Sequence, residues 1–253
     1  MTGLQPMHVD RSSVFNPERY MALRGVEETY AQIEGTAAFK ELLKDFGRLL
    51  TTSPSAEGLG VFLLHRHFAV GPTNIPLERG LAWGESGEYA LVTRGSVVCL
   101  QEKFAPSRWK YDPQSRLFEA LEYSTDLLVV DRWASLSSSP EVAVAAAKIL
   151  EKSGLWPFVG LTIASRSSLP KRSDEVYMET SDSSGLASVV RVKAKGTSSG
   201  RGEIPTVWVP STSCWCGPEM QCSSICFAEG SEDHYYTDHY EIATGQHEVV
   251  PCV

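Results

Sequence analysis

Leu59-Gly60-Val61-Phe62-Leu63-Leu64-His65-Arg66-His67 is the stretch on which the fold turns. The run from Leu59 to Leu64 is apolar throughout and short, which is the pattern of a strand buried on both faces. Side chains at i and i+2 of a strand share a face. His65 and His67 would therefore stand side by side where a core strand surfaces, an arrangement able to chelate a metal. Neutral imidazole suits zinc, copper, iron and nickel.

Working outward, the N-terminal side reads as helical. Residues 1–14 are expected to be a flexible N-terminus, and 15–253 a single domain. Asn16-Pro17-Glu18-Arg19 has an N-cap residue followed by proline at the first helical position. Breaks are expected at Gly25 and Gly35. From about Ala37 to Leu50, Phe39, Leu42, Leu43, Phe46, Leu49 and Leu50 form one apolar stripe. Thr51 to Gly58 is turn-rich and leads into the histidine strand.

On the C-terminal side, Pro72 to Pro76 reads as irregular. Strands are predicted over Glu88–Thr93, Ser96–Glu102, Ser107–Tyr111 and Leu117–Tyr123, the last two joined by the turn Asp112-Pro113-Gln114-Ser115. Leu127 to Asp131 is either another strand or the run-in to a helix. Pro140 to Lys152 is a helix, with Ser139 as its cap and Gly154 as its end. Further strands are predicted at Phe158–Ala164, Glu175–Glu179, Ala187–Lys195 and Thr206–Val209. The expected architecture is α+β: N-terminal helices packed on a mainly antiparallel sheet, one long internal helix, and a Cys/His-rich segment at 211–240.

Composition narrows the function. The chain has 253 residues, 42% hydrophobic and 21% charged, with a formal net charge of −8. That balance opposes a general nucleic-acid binder, which needs a basic face to displace counterions. Lys171-Arg172 and the stretch Arg191 to Lys195 are too sparse to reverse it. There is no basic start followed by an apolar stretch, and no run of 18 apolar residues, so neither a secretory signal nor a membrane span is expected. A cytoplasmic protein is the default. Gly196 to Gly202 is glycine-rich but lacks the spacing and the Lys of a P-loop, and no Rossmann-type glycine loop is present, which disfavours nucleotide-binding folds.

The cysteines supply the second half of the metal case. Cys214, Cys216, Cys222 and Cys226 cluster, followed by His234 and His239; Cys99 and Cys252 stand apart, and Cys99 reads as a buried, inert thiol. In a reducing compartment such a cluster binds metal more often than it forms disulfides. The ligands would make a Cys₄ or Cys₃His site, although disulfides and unpaired thiols stay open at this point. The acids among Ser231 to Tyr240 could orient a ligating histidine. Glu78 and Glu85 lie close to the histidines in sequence and are the candidate general bases. The tryptophans serve the core or line an apolar ligand pocket.

Gly60 to Phe68, with Leu77-Glu78-Arg79-Gly80, resembles the signature of a family of largely uncharacterised fungal proteins. These share an L-H-(K/R)-H-F segment, a middle section like Leu121-Glu122-Tyr123-Ser124, and a Trp-bearing strand followed by C-x-C, further Cys and His. Trp208, Cys214, Cys216, Cys226 and His239 match that ending, and the likeness spans about residue 40 to 240. It implies a fungal source and couples the two motif regions; it carries no activity with it.

Two functions follow. In the first, His65 and His67 hold a catalytic ion, zinc by first choice and copper by second, in an enzyme acting on a small organic molecule in fungal secondary metabolism. In the second, the Cys/His cluster holds a structural zinc in a non-catalytic binding protein. One mixed site built from the histidines and the cysteines would join the two readings.

Overall fold

The computed structural model describes residues 15–83, 88–96, 103–181, 187–194, 203–210 and 220–227. It replaces the expected helices-on-a-sheet arrangement with a closed, mixed β-barrel of ten strands. In chain order the strands are β1 (Leu59–Leu63), β2 (Ile75–Trp83), β3 (Glu88–Ser96), β4 (Ala105–Asp112), β5 (Leu117–Ser124), β6 (Val159–Ile163), β7 (Glu175–Ser181), β8 (Ala187–Ala194), β9 (Glu203–Pro210) and β10 (Met220–Phe227). Around the barrel they run β1-β6-β4-β5-β2-β3-β8-β7-β10-β9, and β9 returns to β1. The β2–β5 and β7–β10 pairs are parallel, and the remaining pairs are antiparallel. The α+β expectation fails at closure. Strand pairing between distant segments joins the two edges, so the helices pack on the outside of a closed barrel rather than on an open sheet.

Among the described residues five α-helices accompany the barrel: α1 (Pro17–Met21), α2 (Val26–Ala31), α3 (Ala37–Thr52), α4 (Leu127–Ser137) and α5 (Pro140–Ser153). Their ends follow local chemistry. The Asn16 side chain accepts from the Glu18 and Arg19 amides, and Thr36 accepts from Phe39. Gly154 ends α5 at φ 70°. Ser139 precedes α5 without capping it; its hydroxyl donates to Ser55 instead. Asp126 starts α4 by accepting from Leu128, which settles the Leu127 segment as helix.

The core divides at β1. Leu59, Val61 and Leu63 face outward and pack with the stripe Phe39, Leu42, Phe46 and Leu50 of α3, with Val142, Ala146 and Leu150 of α5, and with Trp109 and Trp208. Phe62 and Leu64 face the other way, joining Phe15, Tyr20, Leu23 and Phe68. Both faces of β1 are thus buried, which is why the strand is uniformly apolar.

Two glycines permit the closest strand approaches. A Cβ on Gly160 would lie 2.1 Å from the Trp109 carbonyl oxygen, and one on Gly60 would lie 2.7 Å from that of Trp208. A methyl group at Gly160 must therefore push β6 away from β4. Among the described residues no helix is long and apolar enough to cross a membrane.

Two predictions follow from this packing. Gly160→Ala should lower stability by about 2–3 kcal/mol in urea unfolding. Gly71→Ala, where the nearest atom would be 3.7 Å away, should change it by less than about 0.5 kcal/mol. Asp126 also ties the 165–168 loop to α4, accepting from the amides and hydroxyls of Ser167 and Ser168. Burial pushes its carboxyl up, but these bonds outweigh it and hold the group at about 2. A carboxyl depressed on folding stabilises above its unfolded value, near 3.9. Its contribution should fade as pH falls from about 4 toward about 2. Asp126→Ala should cost about 1–2 kcal/mol at neutral pH and flatten that part of the acid-unfolding curve.

Candidate metal centre

His65 and His67 lie just beyond β1, in a loop fixed by the backbone. The Leu64 amide donates to Phe158, the Arg66 amide to Arg24, and the Arg66 guanidinium to the Met21 carbonyl. The two imidazole centroids stand 4.3 Å apart. The pair meets as the spacing suggested, but a tethered loop rather than a strand face brings it together.

Two and three strands further round the barrel from β1, β10 and β7 contribute one ligand atom each. In their parallel register Glu179 stands opposite Cys226, so the carboxylate and the thiol are neighbours. One ligand atom from each of His65, His67, Glu179 and Cys226 falls within 4.8 Å of the other three. These four residues form a group that could hold a metal ion. The closest approaches are His67 Nε2 to Glu179 Oε2 at 3.2 Å, Cys226 Sγ to Glu179 Oε2 at 3.4 Å, and Cys226 Sγ to His65 Nε2 at 3.4 Å. Ligands at about 2.0–2.3 Å from a tetrahedral ion are separated by about 3.3–3.8 Å. The group is already close to that size.

Its orientation also fits. His65 Nδ1 donates to the Leu63 carbonyl at 2.7 Å, which leaves the lone pair on Nε2, turned toward Cys226. Burial, with His67 beside it, pushes the His65 imidazole well below its ordinary value, so it is neutral and able to ligate. His67 Nε2 lies 3.4 Å from Arg108 Nη1, a donor, and 3.2 Å from a Glu179 oxygen, an acceptor. Neither neutral tautomer satisfies both neighbours. A lone pair directed at a cation shared with Glu179 would resolve the conflict.

Arg108 organises the acids. Its guanidinium pairs with Glu179 through Nη2 and with Glu122 through Nη1 at 3.1 Å, and lies 4.4 Å above the Phe62 ring centre. Burial would push Glu179 up; Arg108, and then His67, reverse this and hold it well below the ordinary carboxylate range. Burial, reinforced by Glu179, raises the Cys226 thiol well above its ordinary value. A bound cation would be needed to make it a thiolate. Beside the group, Arg108 Nε is buried and makes no hydrogen bond.

The other sequence candidates are placed differently. Glu78 is buried in β2, where Arg166 Nε donates to it at 2.5 Å and Ser124 at 2.7 Å; it is not a member of the group. The Cys222 thiol donates to the Ser224 carbonyl, separated from Cys226 by two register shifts in the β9–β10 pair. Glu85, Cys99, Cys214, Cys216, His234, His239 and Cys252 lie outside the described residues, as do residues 1–14. Sequence reasoning missed Glu179 and Arg108. The one available signal was a lone acid at the end of the alternating Val176-Tyr177-Met178-Glu179.

A cleft of about 400 Å³ is lined by His67 together with Met21, Val26, Glu27, Arg66 and Phe68. No protein-family profile, curated protein or solved structure matches this chain.

Arg108→Leu should destabilise the protein by about 3–5 kcal/mol, because it leaves Glu122 and Glu179 buried without their partner. Thermal melts compared with those of Arg172→Leu, an exposed ion-pair residue, would check this; the control should move by less than about 1 kcal/mol.

Proposed function

We propose that the protein is a metal-dependent enzyme acting on a small organic molecule, with zinc held by His65, His67, Cys226 and Glu179. The observation that carries the reading is that strand pairing and loop hydrogen bonds by themselves bring these ligands together. Glu179 and Cys226 are neighbours through strand pairing, and the histidine loop is tied down by its own hydrogen bonds. A structural ion joins segments that nothing else joins; here the scaffold has already joined them, as catalytic sites require.

Charge and access agree with this. Arg108 and Arg166 face Glu78, Glu122 and Glu179, leaving one negative charge in excess. A Cys226 thiolate would make two, balanced by a divalent cation. His67 lines the cleft, whose volume is within the range of small-molecule sites. The His/Cys/carboxylate donor set suits zinc. Such an ion supplies Lewis acidity to a bound carbonyl or phosphoryl oxygen. The protein's part is to keep His65 neutral, hold Glu179 ionised beside Arg108, and exclude bulk water from all four ligand side chains.

A second reading, a structural zinc in a non-catalytic protein, is favoured by the four protein ligands, since a closed shell leaves no place for substrate. One experiment separates them. Elemental analysis of untagged protein should find about one zinc per chain, falling to near zero in His65→Ala/His67→Ala. On the enzyme reading that variant, and chelator-treated wild type, keep a cooperative melt within a few degrees of the loaded protein. Unfolding on metal removal would establish the structural reading, and full metal retention by the variant would overturn both. Because the thiol must lose its proton to ligate, apparent zinc affinity should also rise about tenfold per pH unit near neutrality. Titration against a competing chelator at several pH values measures this.

A further inference from the structure

We infer that Arg108 is a latch for Glu179, and that the coordination position filled by this carboxylate opens to an external ligand. The inference rests on the metal reading above and extends it, since a four-ligand shell needs a way to admit substrate.

Guanidinium nitrogens have a fixed arrangement: Nε and Nη2 point their hydrogens along one edge, spaced to match the two oxygens of a carboxylate. Glu179 uses half of that edge. Its Oε1 is held by Arg108 Nη2, while Oε2 is turned to His67 Nε2 and Cys226 Sγ. Arg108 Nε, on the same edge, is buried and makes no hydrogen bond. Rotation of the carboxylate about its Oε1 anchor would carry Oε2 from the metal group onto Nε. The result is a bidentate pair, gained at one end as coordination is lost at the other. The rest of Arg108 need not move, because Glu122 on Nη1 and the Phe62 ring beneath hold the guanidinium in place.

The freed position would be flanked by His67, which lines the cleft, and by Tyr20, whose hydroxyl is buried beside Arg108 and the His67 backbone. Its ligand would be a small oxygen or nitrogen donor, neutral or singly negative, with Tyr20 available as a hydrogen-bond partner. In the open state His65, His67 and Cys226 hold the ion. Three protein ligands with one exchangeable position is the arrangement of catalytic zinc. Arg108 is then a positioning residue that acts through Glu179.

The test uses full-length protein loaded with cobalt(II), whose visible absorption reports coordination, titrated with azide. Wild type should show a saturable spectral change as azide takes the vacated position. Glu179→Gln, which weakens both the coordination and the latch, should bind azide at least tenfold more tightly. Arg108→Lys keeps the charge but lacks the two-pronged edge; it should keep cobalt and bind azide at least tenfold more weakly. Should Arg108→Lys fail to fold, Glu179→Gln against wild type still decides the question. A wild-type spectrum indifferent to azide, or equal azide affinity in wild type and Glu179→Gln, would overturn the latch. Failure of wild type to take up cobalt at all would instead remove the metal reading on which the latch rests.

Discussion

A guanidinium inside a barrel is the constraint that orders the rest of this structure. Removing Arg108 from water costs several kcal/mol, recovered only if carboxylates meet it in good geometry. The chain meets it from two strands that are not neighbours, with Glu122 on β5 and Glu179 on β7. That requirement fixes where both acids point. Once Oε1 of Glu179 is committed to Arg108, Oε2 is aimed at His67 and Cys226. The metal-capable group thus takes its geometry from an ion pair that contains none of its other ligands. A second pair, Arg166 with Glu78, performs the same service for the loop after β6 and leaves Glu78 occupied.

How far the sequence discloses all this depends on whether the signal is local. Helix ends were legible because caps act over three or four residues: Asn16 and Thr36 accept the amides that their positions predict. The apolar stripe of α3 and the uniform burial of β1 were legible for the same reason. The barrel was not. Its closure requires β9 to reach β1 and β10 to lie between β9 and β7, and no short pattern encodes a partner so far away. β10 was hidden further by its own composition, since Gln221, Ser223 and Ser224 do not resemble a core strand. Glu78 and Glu122 mislead in the opposite sense. Charged residues in a strand ordinarily face water, whereas these are buried because arginines await them.

The candidate site was legible by half. His-x-His marks a chelating pair whether the backbone is a strand or a tethered loop, so its two residues were found although the strand ends at Leu63. Cys226 stood out as one of a cluster, but the cluster itself gave no reason to prefer it to Cys222. That choice is made by register: β7 sets Glu179 opposite Cys226. Glu179 carries no sequence mark, because its role arises from pairing with β10 and from Arg108, neither of which is near it in the chain.

The same dependence bears on how such a site could work. Ligands supplied by adjacent strands and a hydrogen-bonded loop have little freedom to rearrange, so the rigid members, His65 and Cys226, suit permanent coordination. His65 is further fixed by its bond to the Leu63 carbonyl. Glu179 differs, because it sits between an immobile guanidinium and the place where the group could hold a metal ion. A carboxylate in that position can trade one partner for the other by rotation of its own side chain, without disturbing a strand. A barrel this closed gives chemistry few places to happen, and the Arg108–Glu179 contact is where the scaffold leaves one group room to move.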